Sequence, residues 1–383
     1  MKSGIIGYYS TRFGELWERS LFDLVEESIR ELLKDSKVDI SRVDAIFFGN
    51  MLGGIIENNL HASAKLAEIL GIHIPIFHTE AACASGGMAF HLAHNYVQSG
   101  KGKTVLVVGA EKMNDSSPEQ ITQALMSAAS GEEQECGLTF PGLYALMARE
   151  YLSKYHYTKK HLAAVSVKNH LHALNNPTAQ FQREITEEMV LQSPLVADPL
   201  GLLDSSPITD GAASVLISSD QALLKKGKSA TILSSEIATD SISLMRRKSI
   251  TGIEATQIAA QKAFKEARLT PADIQVAELH DCFTIAELMA MEDIGFWKRG
   301  EAGKRAGEYE TLFSNGGNLI VNTSGGLKAA GHPVGATGIK QIGELYLQLT
   351  GQAKKRQIKK VRHGLAQNVG GSGGTAVVTI LGI

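Results

Sequence analysis

The chain has 383 residues, 44% hydrophobic and 20% charged, with 38 glycines and 9 prolines. Those proportions suit a large globular α/β protein with one or two cores and exclude a disordered chain. The net charge of −2 gives no general attraction to nucleic acid, and no uncharged apolar run reaches the ~18 residues of a membrane span.

Short apolar runs predict buried strands at 4–8, 45–49, 75–78 and 104–109, the last as a sheet edge. Helical periodicity fills the gaps. Leu21, Leu24, Val25, Ile29, Leu32 and Leu33 fall on one stripe, and 61–70 and 84–98 behave alike. Such alternation implies a parallel sheet with helices on its faces. Residues 114–208, rich in Ser, Gln, Asn, His and Pro, break the rhythm and read as an inserted loop domain, with helical pieces at 143–155 and 161–174. A strand at 213–218 closes the first half, so the chain divides into units 1–220 and 221–383. The second unit resumes with strands at 230–237, 276–279, 319–322, 364–367 and 375–381, and helices at 254–267, 284–294 and 335–349. Residues 22–50 and 252–280 keep step without a gap, each reading helix, polar turn, buried strand and a terminal polar residue, Asn50 or His280. A tandem duplication explains this. The basic run KKRQIKKVRHG at 354–364 reads as a solvated stretch between helix and strand.

Three cysteines, widely spaced and without a CxxC pair, support neither a disulfide framework nor a metal site. The amino terminus becomes charged too soon for a signal peptide, so a reducing cytoplasm is the expected compartment. Cys83 in HTEAACASGG follows a strand and opens a helix through Ala84, Ser85, Gly86 and Gly87. There the helix dipole and unpaired N–H groups stabilise a thiolate, and small neighbours let a bulky thioester approach. His332 in AAGHPVGATG, between Gly331 and Pro333, is a candidate general base. His280 and Cys282 in ELHDCF share a face if the strand continues through them, and Asp281 then orients backbone. The glycines of NVGGSGG could supply oxyanion N–H groups. Thiol and imidazole together point to acyl transfer through thioesters.

AACASGG, HDCF, GGLKAAGHPVGATG and NVGGSGG, in that order over essentially the whole chain, resemble the thiolase superfamily. The likeness is to its sterol-carrier-protein-type members and the archaeal acetyl-CoA acetyltransferases. The resemblance implies an α/β thiolase fold, two βαβαβαββ halves in a five-layer αβαβα core with an inserted loop domain. It implies that Cys83 carries the acyl group, His332 activates it, and His280 with His332 holds the thioester oxygen of the second substrate. The backbone N–H groups of Cys83 and Gly370 would form the other oxyanion hole. Many thiolases place a second cysteine where this chain has Asn368-Val369-Gly370, and those with HDCF supply it there, here as Cys282. Coenzyme A is then substrate and product, with no further cofactor. A homodimer or homotetramer is implied, and assembly with hydroxymethylglutaryl-CoA synthase through an OB-fold partner stays open. The basic run Arg246, Arg247 and Lys248 is a candidate contact for CoA phosphates. The rival readings are a ketoacyl synthase, a retro-aldolase of sterol side chains and a non-catalytic CoA-binding scaffold. Retention of Cys83 and Cys282 together argues against all three.

Overall fold

The structure, a computed structural model, describes residues 2–383. The first half runs β1 (Gly4–Ser10), α1 (Leu21–Ser36), β2 (Ala45–Gly49), α2 (Ala62–Leu70), β3 (Ile76–Thr79), α3 (Ser85–Gln98) and β4 (Thr104–Glu111). The insertion holds α4 (Pro118–Met126), α5 (Gly131–Glu135), α6 (Phe140–Tyr155), α7 (Lys159–Ala173), α8 (Glu187–Leu191) and a hairpin of β5 (Leu195–Ala197) and β6 (Leu200–Gly201). Strand β7 (Gly211–Ser218) closes the half. The second half comprises α9 (Gln221–Lys226), β8 (Ala230–Thr239), α10 (Glu254–Ala267), β9 (Val276–Glu278), α11 (Thr284–Asp293), α12 (Ala302–Gly307) and β10 (Ile320–Val321). It ends with α13 (Gly326–Ala330), α14 (Thr337–Leu349), β11 (His363–Gly370) and β12 (Thr375–Gly382).

Local chemistry explains the boundaries. Ser20 and Asp23 exchange side-chain and backbone hydrogen bonds as a capping box that starts α1, and Lys37 in the left-handed region ends it. The apolar stripe of α1 packs on β1, β4 and β7, with Leu21, Leu24, Val25, Ile29 and Leu32 buried and Leu33 half-buried. On the opposite side of the molecule α10 covers β8 and β12 in the same way.

The two halves are one topology used twice. Strand order β3-β2-β4-β7-β1 recurs as β10-β9-β11-β12-β8, and β1 meets β8 at the seam. Polarity recurs as well, with β2 parallel to β3 and β4 as β9 is to β10 and β11. Helices α3 and α14 pack on each other and against strands of both halves. The layers therefore run helix, sheet, helix, sheet, helix. Their approach is closest at glycines. A Cβ at Gly109 would lie 2.2 Å from Gly335 O, and one at Gly335 would lie 2.5 Å from Ala110 O. Side chains there would push the 331–336 turn off the end of β4.

Three expectations are corrected. Strand β4 is no edge, because β7 and β2 flank it, and the first half's edge is β3, where Phe77 is 41% exposed. Strand β9 stops at Glu278, so His280 and Cys282 sit in the loop beyond it. The run at 354–364 is only partly solvated, since Arg356 is buried in an ion pair with Glu344, 2.7 Å away.

Candidate active site

The end of β3 turns sharply into α3, and Ala82, directly before Cys83, takes φ 51°. That left-handed backbone costs an alanine about 1 kcal/mol, and Ser85 holds it. The Ser85 hydroxyl accepts from Ala81 N–H at 3.0 Å and donates to Ala82 O at 2.6 Å. The turn presents Cys83, half-buried, ahead of the first turn of α3. His332 is carried by the 331–336 turn before α14. Its N–H donates to Thr209 Oγ1 at 3.0 Å, and its Nδ1 lies 2.7 Å from Thr337 Oγ1. His280 is fixed through its N–H to Gln367 Oε1 at 2.9 Å.

These three segments, far apart in sequence, converge. Cys83 Sγ and one nitrogen from each of His280 and His332 all lie within 4.8 Å of one another. The imidazoles meet edge to face, 5.1 Å between centroids at 84°. Cys282 is buried in the same site, and its carbonyl accepts from Ser206 N–H at 2.8 Å. Asp281 faces away from this cluster. Its carboxylate accepts from Leu327 N–H, Lys328 N–H and Asn169 Nδ2 and so orients the start of α13, the structural part expected of it.

Burial sets the resting protonation. It pushes the Cys83 thiol up to about 12, against a Gly371 N–H that favours the thiolate. It drives His332 down to about 3, with Lys340 adding in the same sense. The Cys282 thiol is raised by burial and the nearby Cys83, against a hydrogen bond with Tyr144. The resting site therefore holds neutral thiols and neutral imidazoles. Its donors are of the soft kind that zinc takes, although the chemistry below uses them without a metal.

The Gly371 N–H that favours the Cys83 thiolate directly follows Gly370. Gly370 ends β11, its own carbonyl receiving the N–H groups of Gly373 and Gly374. One expected residue is placed differently. Arg247 is no surface phosphate contact. Its side chain is 2% exposed and donates to Ser241 O, Ser372 O and Ser372 Oγ, bracing the glycine turn from within. Arg246 and Lys248 do face solvent, paired with Glu132 and Glu254.

Sequence reasoning missed four residues. Tyr144 of α6 stacks on Phe283 at 4.7 Å and donates to Gly371 O at 3.1 Å, joining the inserted domain to both catalytic loops. Glu111 is buried at the end of β4. It accepts from Asn50 Nδ2 and the N–H groups of Met51, Leu52 and Gly335 at 2.7–3.0 Å. A glutamate ending the wholly apolar run VLVVGA was the available signal. Thr337 orients His332, and Asn368 reaches both Cys83 O and His280. A cleft of about 830 Å³ beside Phe296 and Trp297 contains none of these groups.

The comparisons with known proteins point to one family. The thiolase N-terminal domain model matches residues 3–221, and the thiolase C-terminal domain-like model matches 237–383. The acetyl-CoA acetyltransferases of Methanothermobacter thermautotrophicus and Methanocaldococcus jannaschii are 44% and 43% identical, each alignment covering 98% of both chains. Human sterol carrier protein 2 is 33% identical over 98% of this chain and 71% of its own length. Among solved structures, the Ltp2-ChsH2(DUF35) aldolase superposes with TM-score 0.85 at 24% identity, covering all of this chain and 97% of that one. Human mitochondrial 3-ketoacyl-CoA thiolase does so with TM-score 0.74 at 17%, covering 100% and 98%. At those identities the two structures speak for the fold alone.

Proposed function

The chain belongs to the thiolase family, and from that premise we propose how its residues carry out the family's reversible Claisen chemistry on CoA thioesters. The enzyme is an acyltransferase that joins two acetyl-CoA molecules into acetoacetyl-CoA and CoA, or thiolyses a 3-ketoacyl-CoA in reverse. The convergence of Cys83, His280 and His332 within 4.8 Å is the observation that carries the assignment of roles.

In the condensing direction, Cys83 Sγ attacks the carbonyl of acetyl-CoA. Its proton passes to His332 Nε2, because Nδ1 faces Thr337 Oγ1, whose own hydrogen goes to Pro333 O. Charge appearing on the carbonyl oxygen is received by the N–H groups of Cys83 and Gly370. A neutral resting pair suits this order of events, since the proton moves only as the sulfur–carbon bond forms. Cys282 gives its proton to the departing CoA thiolate and is left as the base that takes the α-proton of the second acetyl-CoA. His332, now an imidazolium, and His280 hold the resulting enolate oxygen. The enolate attacks the acyl-Cys83, and the released Cys83 thiolate recovers its proton from His332. Stabilisation of this kind acts mainly on charge that develops in the transition state, which is how binding becomes rate.

Coenzyme A is substrate and product in this scheme, and no further cofactor is assigned. Among the described residues no helix is long and apolar enough to cross a membrane, and the two thiols call for a reducing compartment such as the cytoplasm. Incubation with acetyl-CoA followed by peptide mass spectrometry tests the scheme. Acetyl on Cys83 is expected, and label on Cys282 or Cys136 in its place overturns the assignment. Parallel thiolysis assays with acetoacetyl-CoA and a longer 3-ketoacyl-CoA then set the chain length, for which acetoacetyl-CoA is the proposed preferred substrate.

A further inference from the structure

We propose that Asn368 locks His280 in the tautomer that carries its proton on Nε2. His280 is then a fixed hydrogen-bond donor to the thioester oxygen of the second substrate, and the task of proton acceptor is left to His332. The proposal rests on the thiolase reading above and adds a positioning residue to it.

The orientation of the Asn368 carboxamide is settled by backbone groups of unambiguous polarity. Its Oδ1 accepts from Gly87 N–H at 3.1 Å, and its Nδ2 donates to Cys83 O at 3.1 Å. Glycines crowd it on two sides. A Cβ on Gly338 would stand 2.4 Å from Oδ1 and one on Gly87 2.8 Å from it, so larger residues there would displace the amide. The group that meets His280 Nδ1, 3.2 Å away, is therefore the amide nitrogen, a donor. An imidazole whose Nδ1 accepts holds its single proton on Nε2 when neutral. Burial, with His332 and Lys340 nearby, keeps the ring neutral. Nε2 itself is buried and has no hydrogen-bond partner among the described residues. Such a group stays unmet at the cost of its lost hydration, which an enolate oxygen would relieve. The same Nδ2 contacts the carbonyl of the nucleophile, so one carboxamide positions both catalytic segments.

The direct test is nitrogen NMR of the full chain labelled with [15N]histidine, His280 being assigned by the signal lost in His280→Gln. Wild type should show His280 protonated at Nε2, and protonation at Nδ1 would overturn the proposal without any variant of Asn368. Asn368→Asp keeps the shape but turns the donor into an acceptor, which should move the proton to Nδ1. Cys83 acetylation should then survive within about tenfold, while condensation falls by the 10²–10³-fold typical of one lost oxyanion donor. In a His280→Gln background the Asn368→Asp substitution should cost condensation no more than the tenfold allowed for the lost Cys83 O contact, because no tautomer remains to select. An equal cost in both backgrounds would assign Asn368 a merely structural role and end the proposal. Failure of wild type to acetylate Cys83 at all would instead count against the thiolase reading.

Discussion

Replacing Glu111 with glutamine should disable the enzyme although every group it braces lies 59 or more residues away in sequence, because the carboxylate is the tie between β4 and the turn that carries His332. One oxygen accepts from Asn50 Nδ2 and Leu52 N–H, the other from Met51 N–H and Gly335 N–H. Glutamine offers one oxygen and one NH₂, so two buried donors lose their acceptor at ~1–3 kcal/mol each. The substitution also removes a costly buried charge. Burial, outweighing those hydrogen bonds, lifts the carboxyl from 4.5 to about 7, worth roughly 3 kcal/mol at 1.36 kcal/mol per tenfold. The two effects offset each other above pH 8, and stability there should change by no more than a few kcal/mol. The pH dependence separates them. A carboxyl with a raised native pKa contributes stability that is full below about 4.5 and lost as pH rises through about 7. Wild type should therefore lose roughly 3 kcal/mol across that window from this group, and Glu111→Gln should lack that slope. With the His332 turn released, kcat should fall on the order of 10²-fold with KM little changed, as small misplacements of a catalytic base do. Urea unfolding at pH 5 and 8 together with steady-state kinetics decides the matter. A variant with wild-type kcat, or one that retains the slope, would refute the reasoning.

Cys83→Ser should form no acyl-enzyme, whereas Cys282→Ser should acylate yet fail to condense; near wild-type condensation by the latter would remove Cys282 from the proton path. Arg247→Gln should lower kcat at least tenfold by freeing the Ser372 turn, and Arg246→Gln, which breaks only an exposed pair with Glu132, should shift stability by less than ~1 kcal/mol. If Arg246 and Lys248 meet CoA phosphates, neutralising both raises KM for CoA thioesters and leaves KM for pantetheine analogues alone, and an equal rise in both dismisses the contact. Light scattering at micromolar concentration should return at least twice the 41.1 kDa chain mass, because the β3 edge with its exposed Phe77 invites a twofold partner, and a stable active monomer would sink that expectation.

Much of this was legible from the chain itself. Wholly apolar runs such as AIFFG gave β2 its observed bounds, and the α1 stripe and the duplicated order of elements were plain in periodicity. Cys83 and His332 announced themselves by standing among glycines at helix starts. What stayed hidden depends on long-range pairing. Asn368 acts on groups 88 and 285 positions away, and nothing in NVGG says which side chains its amide will meet. Arg247 looked like a surface charge because its neighbours Arg246 and Lys248 are ones, and only the packed structure shows it turned inward. Strand β4 looked like an edge because local sequence cannot reveal that β7, a hundred residues later, returns beside it.

The repeated topology has a chemical consequence. Beyond the end of β2, Asn50 reaches across to Glu111 of β4 at 2.7 Å, and beyond the end of β9, His280 reaches across to Asn368 of β11 at 3.2 Å. These contacts tie corresponding strand pairs of the two halves, one register position apart, with opposite employment. In the first half the contact became an anchor that never meets substrate, and in the second it became a reagent. An ancestral symmetry has thus been converted into polarity, with the nucleophile on one side of the seam and the acid–base groups on the other. Neither half alone retains a working set, and the interface between the repeats is itself the catalyst.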